Sequence, residues 1–130
     1  MLQNIAKLVW LVGTARAAHN IMDYGAMANN DSLRAERANS KAFGKALIAA
    51  NSTADFSERE VLVPSNMTFH MLAIEELDNW ANVNVTIDGT IKLSKRHHDW
   101  PLTDKGDIRD FLMLRDIENV TFSGNGTVDG

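Results

Sequence analysis

Between Asp31 and Ala50 the apolar side chains fall on a helical stripe. Phe43 and Leu47 are four residues apart, and Ala42, Ala46 and Ala50 extend the row through a stretch without proline. This spacing predicts one helix centred on Lys41–Ala50. Asn39 or Ser40 is the expected N-cap, with Asp31 as an earlier choice, because short polar side chains accept the free amide hydrogens of a first turn. Asn51-Ser52-Thr53 is expected to end it.

After Phe56 the period changes from 3.6 to two. Val61-Leu62-Val63 is a short β-rich run stopped by Pro64. Met67, Phe69 and Met71 alternate with Thr68 and His70, and Val83, Val85 and Ile87 alternate with Asn84, Thr86 and Asp88. Val120 and Phe122 alternate in the same way with Asn119, Thr121 and Ser123. Each run is bounded by Gly, Asn, Asp or Pro, which predicts strands of about five residues. Phe111-Leu112-Met113-Leu114 is continuously apolar and is expected to be a strand buried on both faces.

Two segments repeat. Asn84-Val85-Thr86-Ile87-Asp88-Gly89 matches Asn119-Val120-Thr121-Phe122-Ser123-Gly124 at an offset of 35 residues, and a short strand follows each copy. The intervening 95–110 segment is polar, with Pro101 and Gly106, and is expected to protrude as a loop. Without it about 20 residues remain per repeat, the length of one solenoid coil. Stacked coils would place Asn84 over Asn119 in an amide ladder. The preceding helix would cap the open end, where strand edges would otherwise be bare.

Composition narrows the partners. The net charge of −4 and the short basic run Lys95-Arg96-His97-His98 argue against nucleic acid. No cysteine is present, which removes disulfides and thiolate metal sites. No apolar run is long enough to span a bilayer. Lys7, the apolar run Leu8–Val12 and Ala15-Arg16-Ala17 predict a signal peptide over 1–17, leaving 18–130 as the folded part. Six Asn-x-Ser/Thr sequons, at Asn30, Asn51, Asn66, Asn84, Asn119 and Asn125, point the same way, to a secreted glycoprotein. Asn30, Asn51 and Asn66 are the better glycosylation candidates, because a ladder would occupy Asn84 and Asn119.

In this order the pieces resemble the polygalacturonase-type glycoside hydrolases, glycoside hydrolase family 28. The opening motif is Asp23-Tyr24-Gly25-Ala26, the helix Lys41-Ala42-Phe43 with Ala46-Leu47, and the first coil strand Val61-Leu62-Val63-Pro64. Val85-Thr86-Ile87 with Gly89-Thr90-Ile91, and Asn119-Val120-Thr121 through Gly126-Thr127-Val128-Asp129-Gly130, are the two repeat signatures. The resemblance covers about residues 20–130. It departs from the family at 27–38, where the turn is longer, and at 66–79, where no glycine marks a coil turn.

The resemblance implies a mainly β fold: the first coils of a right-handed parallel β-helix with an N-terminal capping α-helix. It also implies a monomeric secreted enzyme that hydrolyses anionic, pectin-like polysaccharide with inversion and without a cofactor. The family's catalytic segments (Asn-Thr-Asp, Asp-Asp, Gly-His-Gly and Arg-Ile-Lys) do not occur here, so no residue takes a catalytic role and the chain reads as the leading part of such an enzyme. A non-catalytic polysaccharide-binding or adhesin-like solenoid is the alternative. A calcium-dependent lyase on the same fold is a third reading, and it lacks its carboxylate cluster.

Within the loop, Trp100 is a candidate to stack on a sugar ring, and Lys95 and Arg96 to attract an anionic chain. The adjacent His97 and His98 point opposite ways in an extended loop and do not read as metal ligands. Asp88 and Asp129 each precede a glycine and read as turn formers. Trp80 reads as a packing residue.

Overall fold

The computed structural model describes residues 18–130. The expected signal peptide lies outside the described residues. The chain is mixed α/β, with two parallel sheets and no closed barrel among the described residues. In chain order the elements are β1 (His19–Asn20), α1 (Leu33–Ser52), β2 (Glu60–Val63), β3 (Thr68–Met71), β4 (Leu77–Ile87), β5 (Thr90–Leu93), β6 (Leu114–Ser123) and β7 (Thr127–Asp129).

From β2 onward, successive strands alternate between the sheets. One sheet has the order β1-β2-β4-β6 and the other β3-β5-β7, and every pairing is parallel. Inward positions form columns. Val61 pairs with Val85 and Val85 with Phe122, while Phe69 pairs with Ile91 and Ile91 with Val128. Val61, Val83, Val85, Phe69 and Ile91 are fully buried. The outermost members Phe122, Val128 and Ile117 are about half exposed, because β6 and β7 are the edge strands of their sheets among the described residues.

Helix α1 starts near the earlier of the two expected caps. It begins after Ser32, whose Oγ accepts from the Ala35 amide at 3.1 Å. Asn39 and Ser40, expected as caps, lie inside the helix and are buried. Ser40 Oγ accepts from the Leu72 amide at 2.8 Å and has the Glu36 and Leu72 carbonyls within reach of its one hydroxyl hydrogen, and Asn39 bonds to the backbone of Met27 and His70. A polar side chain outside a helix and one holding a neighbouring segment look alike in a sequence. Ala35, Ala42, Phe43, Ala46, Leu47 and Ala50 form the buried stripe. At the C-terminal end the Thr53 hydroxyl donates to the Ala49 carbonyl and so accepts from His19 Nε2 at 2.9 Å. His19 Nδ1 then accepts from the Tyr24 hydroxyl at 2.7 Å, which ties β1 to the end of α1.

The repeat holds, with a corrected register. Val83 lies beside Val120 and Thr90 beside Thr127, an offset of 37 residues rather than 35. Alternation has a period of two, so a two-residue slip leaves the inward pattern unchanged and the sequence pattern cannot see it. Backbone geometry fixes the difference. Asn79, Asn82, Asp116 and Asn119 all have positive φ, between 50° and 59°. This left-handed region is costly for most L-residues and best tolerated by Asn and Asp. The four residues form two columns, Asn79 with Asp116 and Asn82 with Asn119, which bend β4 and β6 at equivalent places. The amide ladder therefore joins Asn119 Nδ2 to Asn82 Oδ1 at 2.8 Å, and Asn84 is exposed outside it.

Substituting Asn82 with Ala is expected to cost about 2 kcal/mol, from the left-handed backbone and one lost hydrogen bond. Asn82→Gly, which keeps the backbone freedom, should cost less. Urea unfolding of the two variants checks the order, and equal losses would show that backbone conformation is not the cause.

The expected strand at Phe111–Leu114 is also corrected. Only Leu114 belongs to β6, and 111–113 is irregular. Its carbonyls are used sideways, Phe111 accepting from the Ile74 amide at 2.8 Å and Met113 from Leu77 at 3.3 Å. Phe111 and Leu112 pack against the core from outside the strands, while Leu114 pairs with the buried Leu77.

Candidate functional site

The loop expected between the repeats is folded back on α1. Arg96 Nε donates to the buried Glu36 carboxylate at 3.1 Å, and Arg96 Nη2 donates to the Asp31 carbonyl at 3.0 Å. Trp100 Nε1 donates to the Arg109 carbonyl at 2.7 Å. Arg109 in turn donates its amide to Pro101 at 3.0 Å, and Leu102 and Ile108 form an antiparallel bridge. The segment is a small hairpin clamped at its base. The Arg96–Glu36 pair is the clamp at the helix, and breaking it would leave a carboxylate buried without its cation.

Two of the three loop candidates thus have polar atoms engaged within the protein. Arg96 is exposed but holds Glu36 and Asp31, Trp100 is half-buried with its indole N–H bonded to Arg109, and Lys95 is exposed. The loop does not gather the three into one site. It builds the wall of another.

Between α1 and the hairpin lies an open groove of about 590 Å³. Helix α1 supplies Arg37, Lys41 and Lys45, with Ile48 at one end. The segment after β3 supplies the apolar residues Leu72, Ala73 and Ile74. The hairpin supplies Asp99, Pro101 and Arg109. The volume falls in the range of small-molecule and oligomer sites, about 300–1,000 Å³.

The electrostatics are one-sided. Arg37, Lys41, Lys45 and Arg109 face two lining carboxylates, Asp99 and Glu75. Residues four apart rise about 6 Å along a helix, so Arg37, Lys41 and Lys45 form a straight row of cations at that interval. Lys41, Lys45 and Arg109 form no ion pair among the described residues. Arg37 has a loose one, 3.6 Å to Asp99. In a chain of net charge −4 this row is a local positive strip over an apolar base. Such a surface draws a linear anion by long-range attraction and then offers its apolar part to the ligand's uncharged faces.

The expectation from the sequence missed this row. Its signal is present, since 37, 41 and 45 share one helical face, but only the earlier start near Asp31 brings Arg37 into the helix. Arg109 had no such signal, because only the folding back of the hairpin brings it to α1.

The glycosylation candidates differ in their surroundings. Asn66 is exposed at a left-handed turn. Asn30 is half-buried, and its Oδ1 accepts from the Ser32 amide. Asn51 Nδ2 donates to the Asn79 carbonyl and its Oδ1 accepts from Ala81, holding the first bend of β4. A glycan at Asn51 Nδ2 would compete with that contact. No group of three or more His, Asp or Glu side chains suited to a metal occurs among the described residues.

Compared with known proteins, the chain matches no family model, no curated protein and no solved structure.

Proposed function

We propose that this chain forms the cap and leading coils of a right-handed parallel β-helix in a secreted carbohydrate-active protein, and that the groove beside α1 binds an acidic polysaccharide. The observation that carries the reading is the row Arg37, Lys41 and Lys45 over an apolar base, faced by Arg109. Alternation of strands between two parallel sheets supports the β-helix part. The resemblance of the ordered segments to polygalacturonase-type enzymes supplies the polymer class, a galacturonan, and extends the proposal to its inverting hydrolysis. Fold-level likeness alone does not carry chemistry. The proposal assigns these residues scaffold and binding, since the family's catalytic segments are missing from them. The same absence favours the second reading, a binding protein without hydrolytic activity.

Calorimetric titration with polygalacturonate tests the groove. Wild type should bind it in preference to a neutral polymer of similar length. Reversing Lys41 and Lys45 together to Glu should weaken binding about tenfold at low salt, since close charges contribute about 1 kcal/mol or less each at exposed sites. The gap should narrow as salt rises and the screening length falls. Equal affinity for the neutral polymer would sink the proposal.

A further inference from the structure

Of the two carboxylates that line the groove, Asp99 already touches the row of cations. Asp99 Oδ1 stands 3.6 Å from Arg37 Nη2, at the first cation of the row. That distance is at the loose end of an ion pair, and both side chains meet solvent, at 34% and 64% exposure. The contact therefore contributes little to stability. The positioning of Asp99 is firmer than its contact. It closes a short 3-10 turn, His97–Asp99, and its amide donates to the Arg96 carbonyl at 3.0 Å. On one side Arg96 is anchored to Glu36 and Asp31, and on the other Trp100 is anchored to the Arg109 carbonyl. Two fixed neighbours thus hold a weakly bonded carboxylate in a cationic groove.

We infer that Asp99 is a built-in competitor, an internal stand-in for an acid group of the ligand, which an arriving polyanion displaces from Arg37. The inference rests on the reading of the groove as an anion site. It gives Arg96 and Trp100 a positioning role in place of direct contact with sugar. It also makes the site selective for ligands with several acid groups. A single carboxylate gains little by replacing Asp99, whereas a chain that also reaches Lys41 and Lys45 gains contacts Asp99 cannot make.

The test is titration of polygalacturonate into four proteins: wild type, Asp99→Asn, Asp99→Glu and Asp104→Asn, each with a melting curve to confirm folding. Asp99→Asn keeps the shape and removes the charge, so it should bind about threefold tighter than wild type, the size of one exposed pair. Asp99→Glu keeps the charge and should stay close to wild type. Asp104→Asn removes a negative charge elsewhere on the hairpin and should also stay close. If wild type binds while Asp99→Asn is unchanged or weaker, or if Asp104→Asn tightens binding equally, Asp99 is no competitor. If neither wild type nor Asp99→Asn binds, the anion-site reading falls, and this inference with it.

Discussion

Gly89→Ala is expected to destabilise the protein by about 3 kcal/mol, the top of the usual range for overpacking. A methyl group at this position would lie 2.2 Å from the Pro64 carbonyl oxygen and 2.8 Å from that of Met67. Both obstacles are backbone, so no side chain can swing aside. Nor can the turn retreat. Gly89 donates its amide to Val63 at 3.1 Å and Thr90 donates to Met67 at 2.9 Å, which fixes the two turns face to face. On the other side Thr127 donates to the Gly89 carbonyl at 3.0 Å. Relief requires parting β2 from β4 or β3 from β5. Gly106→Ala is the control. It has φ of +85° and nothing within 4 Å, so only the backbone penalty of about 1–2 kcal/mol applies. Urea midpoints of the two variants should therefore fall in that order. Comparable losses would mean that the close turn stacking is not what forbids a side chain at 89.

Asn39→Ala should cost a similar amount, about 3 kcal/mol, by a different route. The Asn39 side chain is fully buried and its amide makes three bonds. Oδ1 accepts from Met27 at 2.6 Å, and Nδ2 donates to the carbonyls of Met27 and His70 at 3.1 and 2.9 Å. Alanine leaves one backbone donor and two acceptors without these partners, at about 1–3 kcal/mol for each group that water does not reach. The contact links α1, the segment after the 3-10 turn at Ile21–Tyr24, and β3. Its loss should lower the melting temperature by about 10 °C. Asn39→Asp offers a second measurement. It keeps the acceptor for Met27 and loses both donations, so it should not restore wild-type stability. Wild-type melting of Asn39→Ala would show that the buried amide is dispensable.

The elements were largely legible, and their partners were not. Val61, Val63, Phe69, Met71, Val83 and Val85 sit inside because alternation is a local property, written in adjacent residues. The register was hidden, since a slip of two residues preserves alternation. Its true marker was the spacing of Asn79 and Asn82, matched by Asp116 and Asn119, which reads in a sequence only as scattered polar residues. Asn39 and Ser40 looked like caps for the same reason that they serve inside the helix: short polar side chains satisfy backbone groups wherever they meet them. Half of the groove could be read from the helical spacing of Arg37, Lys41 and Lys45. The other half is tertiary. Asp99 and Arg109 reach the site because Arg96 finds a buried carboxylate 60 residues away, and no local pattern encodes that distance.

The paired left-handed bends also set a rule for change in this molecule. Because Asn79 must meet Asp116 and Asn82 must meet Asn119, the perimeter between the bends is quantised, and gaining or losing one residue there would throw each column out of line. The stretch between β5 and β6 escapes that accounting, since it leaves the sheets and returns. Variation in length, and with it variation in what the molecule can grip, is thereby channelled into a segment that walls one side of the groove.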